Sequence, residues 1–387
     1  MAKGERPRIA IIGAGPVGLE VGLYALKLDY PTTIYEAGQV GQHLWQWGHV
    51  RLFSPFGWNS TSLGRNAIRR ENPSVELPDS TAILSGMEHL EAYLLPLSAT
   101  RSLTEILRPN CKVLHIGRAG FLKDEPNDAK RNQQPFRLLL NTEKGEIIDE
   151  ADIVLDCSGV FGQHRWIGDG GIPARGELKS TAHITWGLDD IIGGKRKHYS
   201  GKSIAVIGGG YSAATTICDL ATIAIENSAT WIIWLVRGPR TQPIPRIPND
   251  PLKERDRLAV RVNSLATRGE GNVEYHPNCT IEAIECHGPD KGFRIEAKIG
   301  SKAMSWEVER VIGNVGAKPD LSLCSELHVH EPMTPGWQTN EHRYFFLGIK
   351  SHGRDSRFLL RSGFDQIREV FAHLGGKGTP DLYAEKG

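Results

Sequence analysis

The sequence predicts an α/β protein of two three-layer domains, each opening with a buried strand, a glycine-rich turn and a helix. Three observations carry this. Gly13, Gly15 and Gly18 break an apolar run and precede an Ala/Leu-rich segment. Gly208, Gly210 and Ala213 repeat the arrangement in the second half of the chain. After each unit the chain passes through short strands to a strand that ends in glycine, Asp152 to Gly159 and then Arg310 to Gly316.

The first unit begins with Ile9 to Ile12, an apolar run suited to a parallel strand buried on both faces. The G-x-G-x-x-G turn and a helix to about Leu28 follow, and then a strand from Thr32 to Tyr35 that ends on Glu36. This is the Rossmann-like dinucleotide fingerprint. The first glycine makes the turn, the second lets a pyrophosphate reach the backbone, and the third lets helix and strand pack closely. The helix start offers free N–H groups to phosphates, and the acid at the second strand end accepts from ribose hydroxyls.

The segment from Ala37 to Asn59 is dense in glycine and aromatics, with His43, His49, Arg51 and Asn59 between them. It reads as a loop covering a large planar ligand, or as a surface loop whose aromatics pack on the domain. Met87, Leu90, Tyr93, Leu94 and Leu97 have helical spacing. Strands are expected at Lys112 to Ile116 and Phe136 to Leu140, with a return through Glu146 to Ile148. Ala151 to Gly159 is a buried strand whose small terminal residues allow close backbone approach.

Gly168 to Ser200, rich in Gly, Lys and Arg, reads as a crossover between domains. The second unit follows: strand Ser203 to Ile207, the G-x-G-x-x-A turn, a helix to about Asn227 and strand Trp231 to Val236. Its second strand ends in Arg237, with Arg240 beyond it, where an acid would repel a 2′-phosphate and an arginine can bind one. The plain alternative is that Arg237 solvates a strand end. Hairpin strands at Gly292 to Lys298 and Met304 to Val308, a strand from Tyr344, and a closing helix from Gly363 to Leu374 complete the chain.

At 387 residues, two or three domains are expected, and the net charge of +1 favours neither nucleic acid nor an anionic membrane as partner. No apolar run has the roughly 18 residues of a membrane span. The N-terminus reads as lacking a signal peptide, and the six cysteines form no C-x-x-C pair and no metal-like cluster. They read as reduced thiols of a cytoplasmic protein.

Taken together, these motifs resemble the flavoproteins with two dinucleotide-binding domains, over nearly the whole chain. The resemblance implies FAD on the N-terminal unit and NADPH on an inserted second unit, with the last strand and helix completing the FAD site. The implied boundaries are 1–165 and 317–387 for the FAD domain and 166–316 for the insert. For FAD it implies Gly13, Gly15, Pro16, Gly18, Glu36, Ala37, Gln42, Trp45, Val113, Ser158, Gly159, Gly348 and Phe364. For NADPH it implies Gly208, Gly210, Tyr211, Ser212, Ala213 and Arg237. No metal is implied.

Within that superfamily, thioredoxin-reductase-like enzymes carry a C-x-x-C pair and an Asp after the glycine of the last strand. Here Gly348 is followed by Ile349 and Lys350. The flavin-containing and N-hydroxylating monooxygenases carry Gly-Gly-x-Trp and an Asn-containing segment, to which Gly41 to Trp45 and the stretch up to Asn59 are similar, with Gln42 replacing a glycine. Their G-x-G-x-S-[GA] motif matches Gly208, Gly210, Ser212 and Ala213. The resemblance thus implies a monooxygenase acting on a small molecule with O₂, ahead of a flavin reductase serving an external disulfide or quinone. A flavin-binding sensor without turnover is the third reading. Asn59, Lys350 and His352 are the expected catalytic side chains, and a homodimer is an assembly open to the chain.

Overall fold

The computed structural model describes residues 6–288 and 291–384. The chain divides into two compact units, residues 1–163 with 318–387, and residues 164–317. Unit 1 contains strands β1 (Ile9–Ile12), β2 (Thr32–Tyr35), β3 (Leu107–Arg108), β4 (Lys112–Arg118), β5 (Phe136–Thr142), β6 (Gly145–Ala151) and β7 (Ile153–Asp156). Unit 2 contains β8 (Thr185–Trp186), β9 (Ser203–Ile207), β10 (Trp231–Leu235), β11 (Val273–His276), β12 (Cys279–Gly288), β13 (Gly292–Ile299), β14 (Lys302–Val308) and β15 (Arg310–Gly313). The chain then returns to unit 1 with β16 (Tyr344–Phe346).

Each unit holds one five-stranded sheet and one three-stranded antiparallel sheet. The large sheets are parallel, ordered β16-β7-β1-β2-β3 and β8-β15-β9-β10-β11. The plans correspond strand for strand, except that the outer strand comes from opposite directions along the chain. β16 follows everything else, whereas β8 precedes the rest of its sheet. Thr185–Trp186, expected in a crossover, therefore belongs to the second sheet, paired with Ile312 and Gly313.

In unit 1, helix α1 (Pro16–Lys27) is buried from Val17 through Ala25 because it lies between the sheet and other helices. The aromatic segment after Glu36 differs from the expected loop. It forms two short helices, α2 (Gln42–Trp47) and α3 (Phe56–Asn59), anchored by buried Leu44 and Phe56. Periodicity could not show this, since each helix has a single apolar anchor rather than a repeating face. Helix α4 (Ser62–Glu71), not anticipated either, starts at Thr61, whose hydroxyl accepts from Gly64 N. Glu20, fully buried on α1, ties these pieces together. It accepts from the hydroxyls of Tyr93, Thr61 and Tyr383, and burial raises its carboxyl above the ordinary value against those hydrogen bonds.

In unit 2, helix α5 (Tyr211–Glu226) packs against α6 (Lys253–Arg268), which the sequence reading did not identify. Asp219 on α5 is pushed up to about 6 from 3.8, first by burial and further by Asp190, with Arg261 opposing. A folded-state value above the unfolded one means that its ionisation opposes folding. Stability from this group is present below about pH 4 and is lost as pH rises towards 6. Asp219→Asn should therefore raise the melting temperature at pH 7, by up to about 3 kcal/mol of stability, and do little at pH 3.5. Equal melting of both proteins at pH 7 would refute this.

Candidate functional site

β1 leads into Gly13, whose φ of +97° is left-handed and whose amide donates to Tyr35 O at 2.8 Å. A Cβ at Gly18 would lie 1.9 Å from the Gly13 carbonyl oxygen, so close packing excludes any side chain there. At Gly15 the same construction meets nothing within 4 Å. Helix α1 starts immediately afterwards with Pro16 in its first turn and no side chain capping it. A proline costs nothing at that position, because its missing N–H would have no helical partner.

Glu36, at the end of β2, does more than its position suggested. One carboxylate oxygen accepts from Ala14 N at 2.7 Å and the other from Gly38 N at 3.0 Å. Gly41 N bonds Ala14 O, Asn110 N bonds Gly38 O and Cys111 N bonds Glu36 O. The glycine turn, the 36–41 segment and the chain entering β4 are thus one hydrogen-bonded assembly. Val113 is buried on β4 just beyond it, and Ala37 is exposed. Gln42 Oε1 accepts weakly from Gln39 N, while Trp45 donates its indole N–H to Val40 O and stays 38% exposed.

At the other side of the same sheet edge are Ser158 and Gly159 after β7, and the 3-10 turn Gly348–His352 after β16. Three expected site residues take different roles here. Lys350 is fully buried, its ammonium 2.6 Å from Asp156 Oδ2 and 3.0 Å from Ser158 Oγ. The ammonium is enclosed by protein and faces Asp156 and Ser158 rather than open space. Asn59 is 2% exposed, and both ends of its amide are occupied by Ser54, at 2.7 and 2.8 Å. Phe364 is a core residue on the closing helix α7 (Leu360–Gly375), packed with Ile367 and Phe371. His352 makes no ion pair with a neighbouring carboxylate within 4 Å among the described residues. It is partly buried, burial lowers its imidazole below the ordinary value, and its Nδ1 has no partner among the described residues.

Unit 2 repeats the turn. Gly208 has φ +139°, and a Cβ on it would lie 2.2 Å from Asn314 O. Gly210 is open, with nothing within 4 Å, and Ala213 fits fully buried at the third position. Tyr211 begins α5, which again has no side-chain cap, and Ser212 is exposed. The Trp234 indole donates to Gly208 O at 2.7 Å and pins the turn, a contact no motif announces. Beyond β10, Arg237 and Arg240 are exposed and neither guanidinium has a partner among the described residues. Their loop is fixed elsewhere. Tyr275 donates to Arg240 O, and the Asn263 amide clamps Ile244 N and O at 3.0 and 2.7 Å.

All six cysteines are free thiols. Cys279 and Cys286 both lie on β12, the first strand of the three-stranded sheet of unit 2. Seven residues of strand separate them by about 20 Å. Burial raises the thiols of Cys111, Cys157, Cys218, Cys279 and Cys324.

No family profile and no curated protein matches the chain. Solved structures do. The bacillithiol disulfide reductase of Bacillus cereus is similar at 15% identity and a TM-score of 0.68, over 92% of this chain and 95% of that one. The cadaverine monooxygenase of desferrioxamine biosynthesis from Erwinia amylovora, bound to FAD, is similar at 14% identity and 0.65, over 97% and 96%. An ornithine N-hydroxylase of Kutzneria, with reduced FAD, NADP⁺ and L-ornithine, is similar at 13% and 0.62, over 95% and 99%. These likenesses establish the fold, a two-domain α/β architecture shared with these reductases and monooxygenases. No described helix is long and apolar enough to cross a membrane.

Proposed function

We propose that the protein is an FAD-dependent NADPH oxidoreductase, and specifically a monooxygenase that oxidises a small molecule with O₂. The observation that supports this most is the pair of open turns. At Gly15 and Gly210 a side chain would enter empty space, while Gly18 and Gly208 are crowded by backbone. Each open turn precedes an uncapped helix of 12 or 16 residues, which suits a pyrophosphate. Glu36 suits a ribose in unit 1, because a carboxylate offers about four acceptor sites and backbone amides take two. Arg237 and Arg240 suit the 2′-phosphate that distinguishes NADPH.

FAD, when bound, supplies the hydride-accepting and electron-donating chemistry. The chain's own residues bind and orient it at the β1 turn and at the ends of β7 and β16. His352 is the imidazole of the 348–352 turn; burial lowers it below its ordinary value, and its Nδ1 is enclosed without a partner among the described residues. On this reading the aromatic segment from Trp45 to Trp58 would limit water access.

The preference for O₂ over a disulfide relay is supported by the cysteines. A relay needs two Cα atoms within about 7 Å and a reactive thiolate, and burial raises five of the six thiols, against thiolate formation. Replacing all six by Ser or Ala should leave both NADPH oxidation and reoxidation of the flavin unchanged. A folded, FAD-loaded variant that accepts hydride but cannot be reoxidised would overturn this. The same cysteine geometry leaves an external disulfide or quinone acceptor as the second reading. Anaerobic bleaching by NADPH, followed by air, separates the two. Substrate-dependent oxygen uptake with little peroxide supports the monooxygenase, and rapid recovery only with a disulfide or quinone supports the reductase.

A further inference from the structure

The ends of β7 and β16 are joined by a buried polar assembly, and the backbone of its Ser158 packs beside Gly13. Lys350 Nζ lies 2.6 Å from Asp156 Oδ2 and both side chains are fully enclosed. Tyr344 OH donates to the same oxygen at 2.8 Å, and Ser158 donates its hydroxyl and its amide to Oδ1 at 2.6 and 3.1 Å. The turn is also tied to α7. Gln366 accepts from Gly348 N at 2.9 Å and donates to Ser351 Oγ at 2.7 Å.

A buried ion pair is a weak source of stability, because desolvation cancels most of its attraction. Its value lies in fixing one arrangement. β16 pairs with β7 up to Phe346 and Asp156, and Leu347 N makes the last backbone bond to Asp156 O at 3.0 Å. Beyond that point the sheet ladder stops, and strand twist would let the two chain ends diverge. The Lys350–Asp156–Ser158 contacts begin where the ladder ends.

We infer that Asp156 and Lys350 are positioning residues that hold Ser158–Gly159 at a fixed distance from the Gly348–His352 turn, pre-forming the part of the FAD seat built by these two strand ends. The inference rests on the FAD reading. It differs from a catalytic role for Lys350, since the ammonium acts through Asp156 and Ser158 and touches nothing outside the protein interior.

Three proteins test it: the unsubstituted chain, Lys350→Met, and Asp156→Asn with Lys350→Met. Each is stripped of flavin. Thermal unfolding, FAD affinity by fluorescence and the visible circular dichroism of rebound FAD are then measured. Lys350→Met, which leaves a carboxylate buried and unpaired, should melt lower and bind FAD at least tenfold more weakly. The double variant removes both charges and should recover its melting temperature, yet remain at least tenfold weaker for FAD with an altered dichroism band. Recovery of affinity and dichroism together with melting would show that the pair only packs the core, and would overturn the inference. If Lys350→Met does not fold, the double variant decides alone. Failure of the unsubstituted chain to take up FAD would instead overturn the cofactor reading.

Discussion

Replacing Gly15 by Val should yield a folded protein that no longer takes up FAD. The effect is large because the space is open in the protein and needed by the ligand. A Cβ at this position meets no atom within 4 Å, and the backbone there is extended rather than left-handed, so the position itself admits a side chain. It would stand before the uncapped first turn of α1, where a pyrophosphate must approach the backbone. A loss of roughly a hundredfold or more in affinity is expected, about 2.7 kcal/mol, with the melting temperature of the flavin-free protein unchanged. Gly18→Val is the contrasting control. Its Cβ would sit 1.9 Å from the Gly13 oxygen, so it should fail through misfolding. Flavin content after purification, read beside melting curves, checks both. A Gly15→Val protein carrying a full complement of FAD would remove the N-terminal unit as the flavin site.

Arg237→Ala should weaken NADPH by one to two decades and leave NADH nearly unchanged. A charge-assisted hydrogen bond contributes roughly 1.5–3 kcal/mol, which is that range in affinity. The guanidinium is exposed and has no partner among the described residues, so its removal breaks no contact of the fold. The loop that carries it stays anchored by Asn263 and Tyr275. Since the contact is exposed, the gap between wild type and variant should narrow as salt rises. Titrations with both nucleotides at two ionic strengths check this. Equal losses for NADPH and NADH would assign Arg237 a structural part instead.

Both predictions rest on features that were legible in the sequence, and the reason is their range. Gly13 and Gly18 meet within one turn, and the strand, the glycines and the helix that form each site are adjacent in the chain. Apolar runs such as Ile9–Ile12 and Ser203–Ile207 show their burial directly, because a parallel strand covered on both faces needs no polar alternation. The short helices after Glu36 were less legible. Leu44 and Phe56 are single anchors, and only the surrounding structure makes them helical.

Local sequence carried the two strand–turn–helix units, the acid and the arginine that follow their second strands, and the lack of a neighbouring cysteine pair. Tertiary structure alone decided the rest. It drew β8 and β16 to matching sheet edges from opposite directions along the chain. It turned Asn59 inward onto Ser54, and it set Trp234 over Gly208. Above all it enclosed Lys350 against Asp156, 194 positions away. A side chain's type limits its chemistry, but whether it meets a substrate or a buried counter-ion depends on which distant backbone folding brings to it. Local periodicity carries no record of that encounter.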